Sequence, residues 1–285
     1  MFTLVKRNIR LYISDPAAVF FSLLGALIAV LLVLLFLKSS IVNALTDAYG
    51  GLVDAAQAGQ VLDAWLVASA SVIASATTGL AALRQFVDDK QTARWRDFLV
   101  TPLPSWAITG GYLLAAAIVS VLMTSIVYGL GTVYCLGNHV PLAWGGVCAG
   151  WGWLVLSSLG FTGLMGCVVS LLSTDAAFSG FSIIVGVLFG FLSETYVTHS
   201  ILPTGVARAL GWLPFAQASA LVRQPYVAQV VDALPASVRQ ATVDSLTLTP
   251  ASLGMSTTAV AGVLAAMAVV FFLATWQLMA RAVRR

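Results

Sequence analysis

Residues 17–37 read AAVFFSLLGALIAVLLVLLFL, a run without a single charged side chain. A bilayer core about 30 Å thick is crossed by about 20 helical residues, so this stretch alone is long enough to span it. Five further apolar segments qualify: 61–83, 105–134, 142–172, 176–192 and 256–280. They are long continuous runs, whereas strands of a membrane barrel alternate over about ten residues. The expected fold class is therefore an all-α polytopic membrane protein with six transmembrane helices. Composition agrees. Only 9% of the residues are charged and the mean hydropathy is +0.96, whereas soluble chains are about a quarter charged. The first run exceeds the 7–15 residues of a signal-peptide core and lacks a small-x-small site before Lys38, so it reads as a retained helix.

Six crossings place both termini on one side. If that side is the cytoplasm, the inner segments hold Lys6, Arg7, Arg10, Arg84, Lys90, Arg94, Arg96, Arg281, Arg284 and Arg285, and the outer ones only Lys38, Arg208, Arg223 and Arg239. The positive-inside rule then predicts N-in and C-in. Asp63, Asp175 and Glu194 fall at predicted span ends, so no ionisable group is expected at mid-depth. Ion-driven carriers need such groups, which argues against an ion-coupled transporter or channel.

The segments between spans have their own chemistry. In residues 1–16, MFTLVKRNIRLYISDP, Phe2, Val5, Ile9 and Tyr12 or Ile13 recur at helical spacing beside Lys6, Arg7 and Arg10. This pattern predicts a basic amphipathic helix lying in the headgroup layer, ended by Asp15-Pro16. Residues 193–251 form the expected extracellular segment. Its first part, SETYVTHSILPTGVARALGWLPFAQASALVRQ, is too apolar for a free loop and is broken by Pro203, Gly205, Gly211 and Pro214. It reads as short helices re-entering the outer leaflet, since irregular backbone at membrane depth must be covered by protein or line a watery cavity. Asp232 to Pro250 reads as a small external cap.

No phosphate-binding loop of the G-x-x-x-x-G-K-[ST] form is present, and two histidines offer no zinc set. Cys135, Cys148 and Cys167 read as packing residues. Gly186 and Gly190 form a GxxxG pair in the fifth span. Intramembrane catalysis would need a base beside a nucleophile, and the spans offer none. Neither catalytic, cofactor-binding nor metal-binding residues are expected in this chain, nor nucleic acid as a partner.

Residues 84–104, RQFVDDKQTARWRDFLVTPLP, stand apart. Seven of the 25 formal charges fall between Arg84 and Asp97. Trp95, Phe98 and Leu99 share i, i+3, i+4 spacing and predict an apolar ridge on a short cytoplasmic helix, shaped to dock on another protein.

This loop resembles that of the membrane permease subunit of ABC exporters of the type-2 class. The family pattern runs acidic-x-acidic-x-G-[TS]-x-x-x-[FL]-L-V-[TS]-P-L. Here DKQTARWRDFLVTPL supplies Asp89, then Gln91 and Ala93 in place of the second acid and the glycine, then Phe98-Leu99-Val100-Thr101-Pro102-Leu103 in agreement. The segment GFLSETYV through LP and LVRQ is similar to the family's re-entrant outer region, which carries Glu194, Pro203 and Pro214. The likeness extends over essentially the whole chain.

The resemblance implies an ATP-driven exporter of a hydrophobic or amphipathic substrate, whether drug, antibiotic, lipid or peptide, in the cell membrane. It implies a separate ATP-binding subunit that holds ATP and Mg, and a second permease copy, identical or not. It makes 84–104 the coupling helix, with Asp89, Arg94, Trp95, Arg96, Asp97 and Phe98 as the contact to the ATPase. It makes residues 1–16 an elbow helix. The competing readings are the ion-coupled carrier or channel and a non-transport membrane scaffold or immunity protein.

Overall fold

The computed structural model describes residues 1–92, 94, 104–196 and 203–284. Among these residues the regular secondary structure is all helical, and six helices are long and apolar enough to cross a membrane. Trp95, Arg96, Asp97 and Phe98 lie outside the described residues.

Helix α1 (Phe2–Ile13) buries Leu4, Val5, Asn8 and Tyr12 and leaves Phe2, Lys6, Arg10 and Ile13 exposed. The expected apolar stripe is thus divided. Val5 and Tyr12 turn inward against protein, while Phe2 and Ile13 sit on the outer face beside the bases. The Tyr12 hydroxyl lies 2.7 Å from Ser22 Oγ, and Asp15 Oδ1 accepts from the Ala18 amide at 3.0 Å. Asp15 therefore caps the next helix while Pro16 takes its first position, where a missing N–H costs nothing.

The first span runs from α2 (Pro16–Leu32) through a π turn (Val33–Leu37) into α3 (Lys38–Ala48). This is longer than the predicted 17–37. Lys38 does not end the helix, because its ammonium meets Asp63 at 2.6 Å and a paired charge need not leave the bundle. Gly50 and Gly51, at φ 57° and 80°, make the turn that follows, a backbone shape that glycine adopts without steric cost. Asp54 and Gln57 then form a reciprocal capping box at the start of α4 (Ala55–Gln91).

Helix α4 is the axis of the bundle. It packs against α2, α5 (Ser105–Gly137), α6 (Trp144–Leu171), α7 (Asp175–Leu192) and α9 (Pro214–Asp232). Between Ala58 and Leu80 almost every side chain is buried, and most are small. Ser69, Ser71, Thr77 and Thr78 donate to carbonyls one turn back in their own helix, and Ser75 to that of Val72. A helix whose hydroxyls are satisfied internally can be surrounded by neighbours without orphaned polar groups. Gly79 marks the closest approach: a Cβ there would lie 2.4 Å from Thr162 Oγ1 of α6.

Helix α11 (Thr257–Arg284) closes the bundle against α6 and α5. Thr275 Oγ1 donates to the Gly163 carbonyl at 2.7 Å, and Trp276 Nε1 to that of Trp106 at 3.0 Å. Both chain termini therefore lie at the end of the bundle that holds Gln91, Ser105 and Asp175. Large apolar side chains face outward on the peripheral helices, among them Leu35, Phe36, Leu130 and Ile183. An apolar exterior of that extent is what a lipid solvent requires.

The predicted loop 84–104 begins differently from expectation. Arg84 to Gln91 are the last two turns of α4, because their charges find partners along the helix and on α1. All three cysteines are free. Cys135 is buried as expected, but Cys148 is exposed on α6 and is not a packing residue.

Candidate functional site

The charges of this chain gather at the two ends of α4. At the α1 end, Asp89 is 1% exposed. Its carboxylate accepts from Arg7 Nη1 at 2.8 Å and Nη2 at 3.1 Å, from the Tyr112 hydroxyl at 2.6 Å and from Gln85 Nε2 at 2.9 Å. The two-pronged arginine contact is the geometry that matches a planar carboxylate. The hydrogen bonds that Arg7 donates to Asp89 raise it above its usual range against the opposing effect of burial. Phe86 meets the Tyr112 ring edge-on at 5.6 Å and fixes its direction.

The same turn of α4 grips the α6–α7 connection. Lys90 Nζ donates to the Leu172 carbonyl at 2.8 Å, and Gln91 Oε1 accepts from the Asp175 amide at 2.8 Å. Arg84 lies 2.9 Å from Asp175. Thr174 Oγ1 accepts from Ala177 and caps α7. Where the chain leaves α4, its end is thus tied to α1 on one side and to residues 170–175 on the other.

At the far end, the charge sits inside the bundle. Helix α9 begins at Pro214 in its first turn and carries Arg223, whose side chain is fully buried. Arg223 Nε donates to Ser69 Oγ at 2.8 Å. Nη2 donates to the carbonyls of Ser193 at 3.0 Å and Glu194 at 3.3 Å, and Nη1 to that of Thr247 at 3.4 Å. The guanidinium lies 5.1 Å from the Trp65 ring centroid, within cation–π range, while Trp65 Nε1 donates to the Leu246 carbonyl at 3.1 Å. Helix α9 approaches α6 closely enough that a Cβ on Gly146 would meet the Pro225 carbonyl oxygen at 2.1 Å.

Between the two ends, α2 and α7 flank a cavity of about 980 Å³, with Thr77 and Leu80 of α4 as its floor. Phe21, Ile28, Ile183 and Val187 line it, and Arg84 and Asp15 stand at its α1 end. No cluster of three metal-ligating side chains occurs among the described residues. The cavity can hold an apolar molecule.

The site residues expected from sequence divide accordingly. Asp89 is buried and engaged inside the bundle, whereas Arg94 is exposed beyond the end of α4. Glu194 is buried just past α7 at φ 54°. Pro203 is exposed ahead of α8 (Thr204–Gly211), an amphipathic turn carrying exposed Val206 and followed by exposed Trp212. The broken segment 203–232 is two helices, as its composition implies, and α10 (Ala236–Ser245) covers the far end. There Thr242 Oγ1 donates to the Tyr49 hydroxyl.

Arg7, Tyr112, Trp65 and Arg223 are not legible as site residues in the sequence. One signal does point to Arg223: it is the only charge between Pro214 and Val231. Counting it as an outer surface charge misses that it is buried among protein groups.

A family model described as ABC-2 type transporter matches residues 1–227, from α1 into α9. No curated protein matches the chain.

Proposed function

The chain belongs to the ABC-2 type transporter family, and on that premise we propose that it is the permease subunit of an ATP-driven exporter. It is a multi-pass membrane protein with six apolar helices. In the proposed arrangement the α1 end faces the cytoplasm of a cell whose plasma membrane holds the protein, consistent with the ten basic residues assigned to that side. A separate subunit binds ATP and Mg, since this sequence carries no phosphate-binding loop.

The observation that carries the reading is the fixing of α4 at Asp89, Lys90 and Gln91. A segment that receives a push from a partner must be joined to something stiff, and here it leaves a 37-residue helix braced by α1 and by the α6–α7 turn. Arg94 to Phe98 supply the contact with the ATPase, with Trp95 and Phe98 as its apolar anchors. Asp89 acts inside the bundle, as the anchor of α1, and not as a contact.

A second copy of the permease covers the exposed faces of α2 and α7, and the cavity between them takes a hydrophobic or amphipathic substrate. The lining supports that class, being apolar apart from Arg84, Asp15 and a few hydroxyls. An ion-coupled carrier finds no comparable support, because the buried carboxylates of Asp63 and Asp89 are each held by a basic side chain and that of Glu194 is within electrostatic reach of Arg223.

The test is purification of the tagged chain from its native membrane. An ATP-hydrolysing subunit should accompany it, and Trp95→Ala with Phe98→Ala should abolish substrate-stimulated hydrolysis while the permease still inserts. Full stimulated hydrolysis and transport in the double variant would remove the coupling assignment.

A further inference from the structure

A buried guanidinium is costly to keep. It must be removed from water and every donor must find an acceptor. Arg223 meets this cost with a serine hydroxyl, three backbone carbonyls and an indole face, together with the electrostatic attraction of Glu194. Two of those carbonyls, of Ser193 and Glu194, lie where α7 ends and where helix carbonyls lack internal partners. The partners come from three places, none of them on Arg223's own helix. Trp65 and Ser69 are on α4, Ser193 and Glu194 close α7, Thr247 follows α10, and Arg223 itself is on α9. Only an arginine fork presents donors in three directions from one rigid plane.

We propose that Arg223 is a positioning residue of transport, a latch that makes the far-end closure move with α4. The inference rests on the reading of the chain as an ATP-driven permease. Ser69 and Asp89 are 20 positions apart on one continuous helix, about 30 Å at 1.5 Å per residue. Between them α4 is unbroken and packed against α5, α6, α7 and α9. A displacement imposed beside Asp89 therefore reaches Trp65 and Ser69, and through Arg223 reaches α9, the end of α7 and the segment at Thr247. The bond to Ser69 is the shortest of the set, and those to the carbonyls run from 3.0 to 3.4 Å.

The experiment measures amide hydrogen exchange by mass spectrometry on the permease in complex with the ATPase that co-purifies with it. Wild type, Arg223→Met, Arg223→Lys and Ser69→Ala are compared without nucleotide and after trapping with ATP and vanadate. In wild type, trapping changes exchange at both ends of α4, in residues 170–176 and in residues 190–196 and 243–253. In Arg223→Met, the far-end segments exchange about tenfold faster or more without nucleotide, and their response to trapping disappears. The response at 170–176 and the basal hydrolysis rate remain. Arg223→Lys keeps one or two contacts and falls between, and Ser69→Ala shows a smaller change of the same kind.

Unchanged far-end exchange with an unchanged trapping response in Arg223→Met overturns the latch. So does faster exchange in all helices together, which would make Arg223 a general stabiliser. If the wild-type complex shows no nucleotide response at either end, ATP coupling itself fails, and the nucleotide-free comparison still decides whether Arg223 holds the far end together.

Discussion

Replacing Arg7 with methionine isolates what fastens α1 to the bundle. Asp89 accepts four hydrogen bonds, and Arg7 supplies two of them together with the opposing charge. Breaking a fully buried ion pair by removing one partner costs about 3–5 kcal/mol. The Arg7 side chain is 29% exposed, so water screens its side of the pair and the expected loss is about 2–3 kcal/mol. The sharper expectation is a reversal of sign. In wild type, Asp89→Asn is destabilising, because an amide cannot serve four donors. In the Arg7→Met background the same change is neutral or stabilising, because it removes a buried charge that has lost its cation. The coupling between the two positions should be about 1–3 kcal/mol. Equilibrium unfolding in mixed micelles with a rising fraction of denaturing detergent, followed by tryptophan fluorescence, measures all four corners of the cycle. If Asp89→Asn costs the same in both backgrounds to within about 0.5 kcal/mol, the pair does not hold α1, and the bracing of α4 argued from it is wrong.

Three further expectations follow from the packing and the topology. Gly79→Ala places a methyl group 2.4 Å from Thr162 Oγ1 and should destabilise by about 1–3 kcal/mol; adding Thr162→Ala should restore part of that loss in the same unfolding assay. A cysteine at exposed Thr92, in a Cys148→Ala background that removes the one exposed native thiol, should resist impermeant thiol reagents on intact cells and react after the membrane is opened. Labelling on intact cells would invert the topology. Gly186→Phe extends into open space beside the α2–α7 cavity. It should leave stability within about 0.5 kcal/mol and lower transport of a lipophilic fluorescent dye by proteoliposomes of the complex; unchanged dye transport would place the substrate route elsewhere.

The two polar clusters differ in how their burial is tolerated. At the α1 end, charge meets charge, and the carboxylate of Asp89 is neutralised locally by Arg7. At the far end, Arg223 is held by backbone carbonyls, a hydroxyl and a ring, with the added attraction of Glu194. The first arrangement resists separation of α1 from α4. The second is built from several modest contacts spread over α4, the end of α7 and the segment at Thr247.

The spans were determined by the amino-acid sequence alone. Runs such as 17–37 and 105–134 have no stable alternative to a helix in lipid, since only a helix satisfies every backbone group within one segment. The capping chemistry was equally local: Asp15-Pro16 and Thr174 each act within four residues. The break of 203–232 into two helices followed from prolines and glycines interrupting apolar sequence. The fate of each charge did not follow, because it depends on what stands opposite. Lys38 continues a helix because Asp63 faces it. Arg84 to Gln91 belong to α4 because Arg7, Ser170, Leu172 and Asp175 receive their polar groups. Asp89, part of a motif that points outward by resemblance, turns inward to Arg7 and Tyr112. Arg223, in sequence one basic residue of an outer segment, is fully buried. Only the tertiary structure could decide this, since the groups that make its burial tolerable come from positions 65, 69, 193, 194 and 247, and nothing local to Arg223 brings them together.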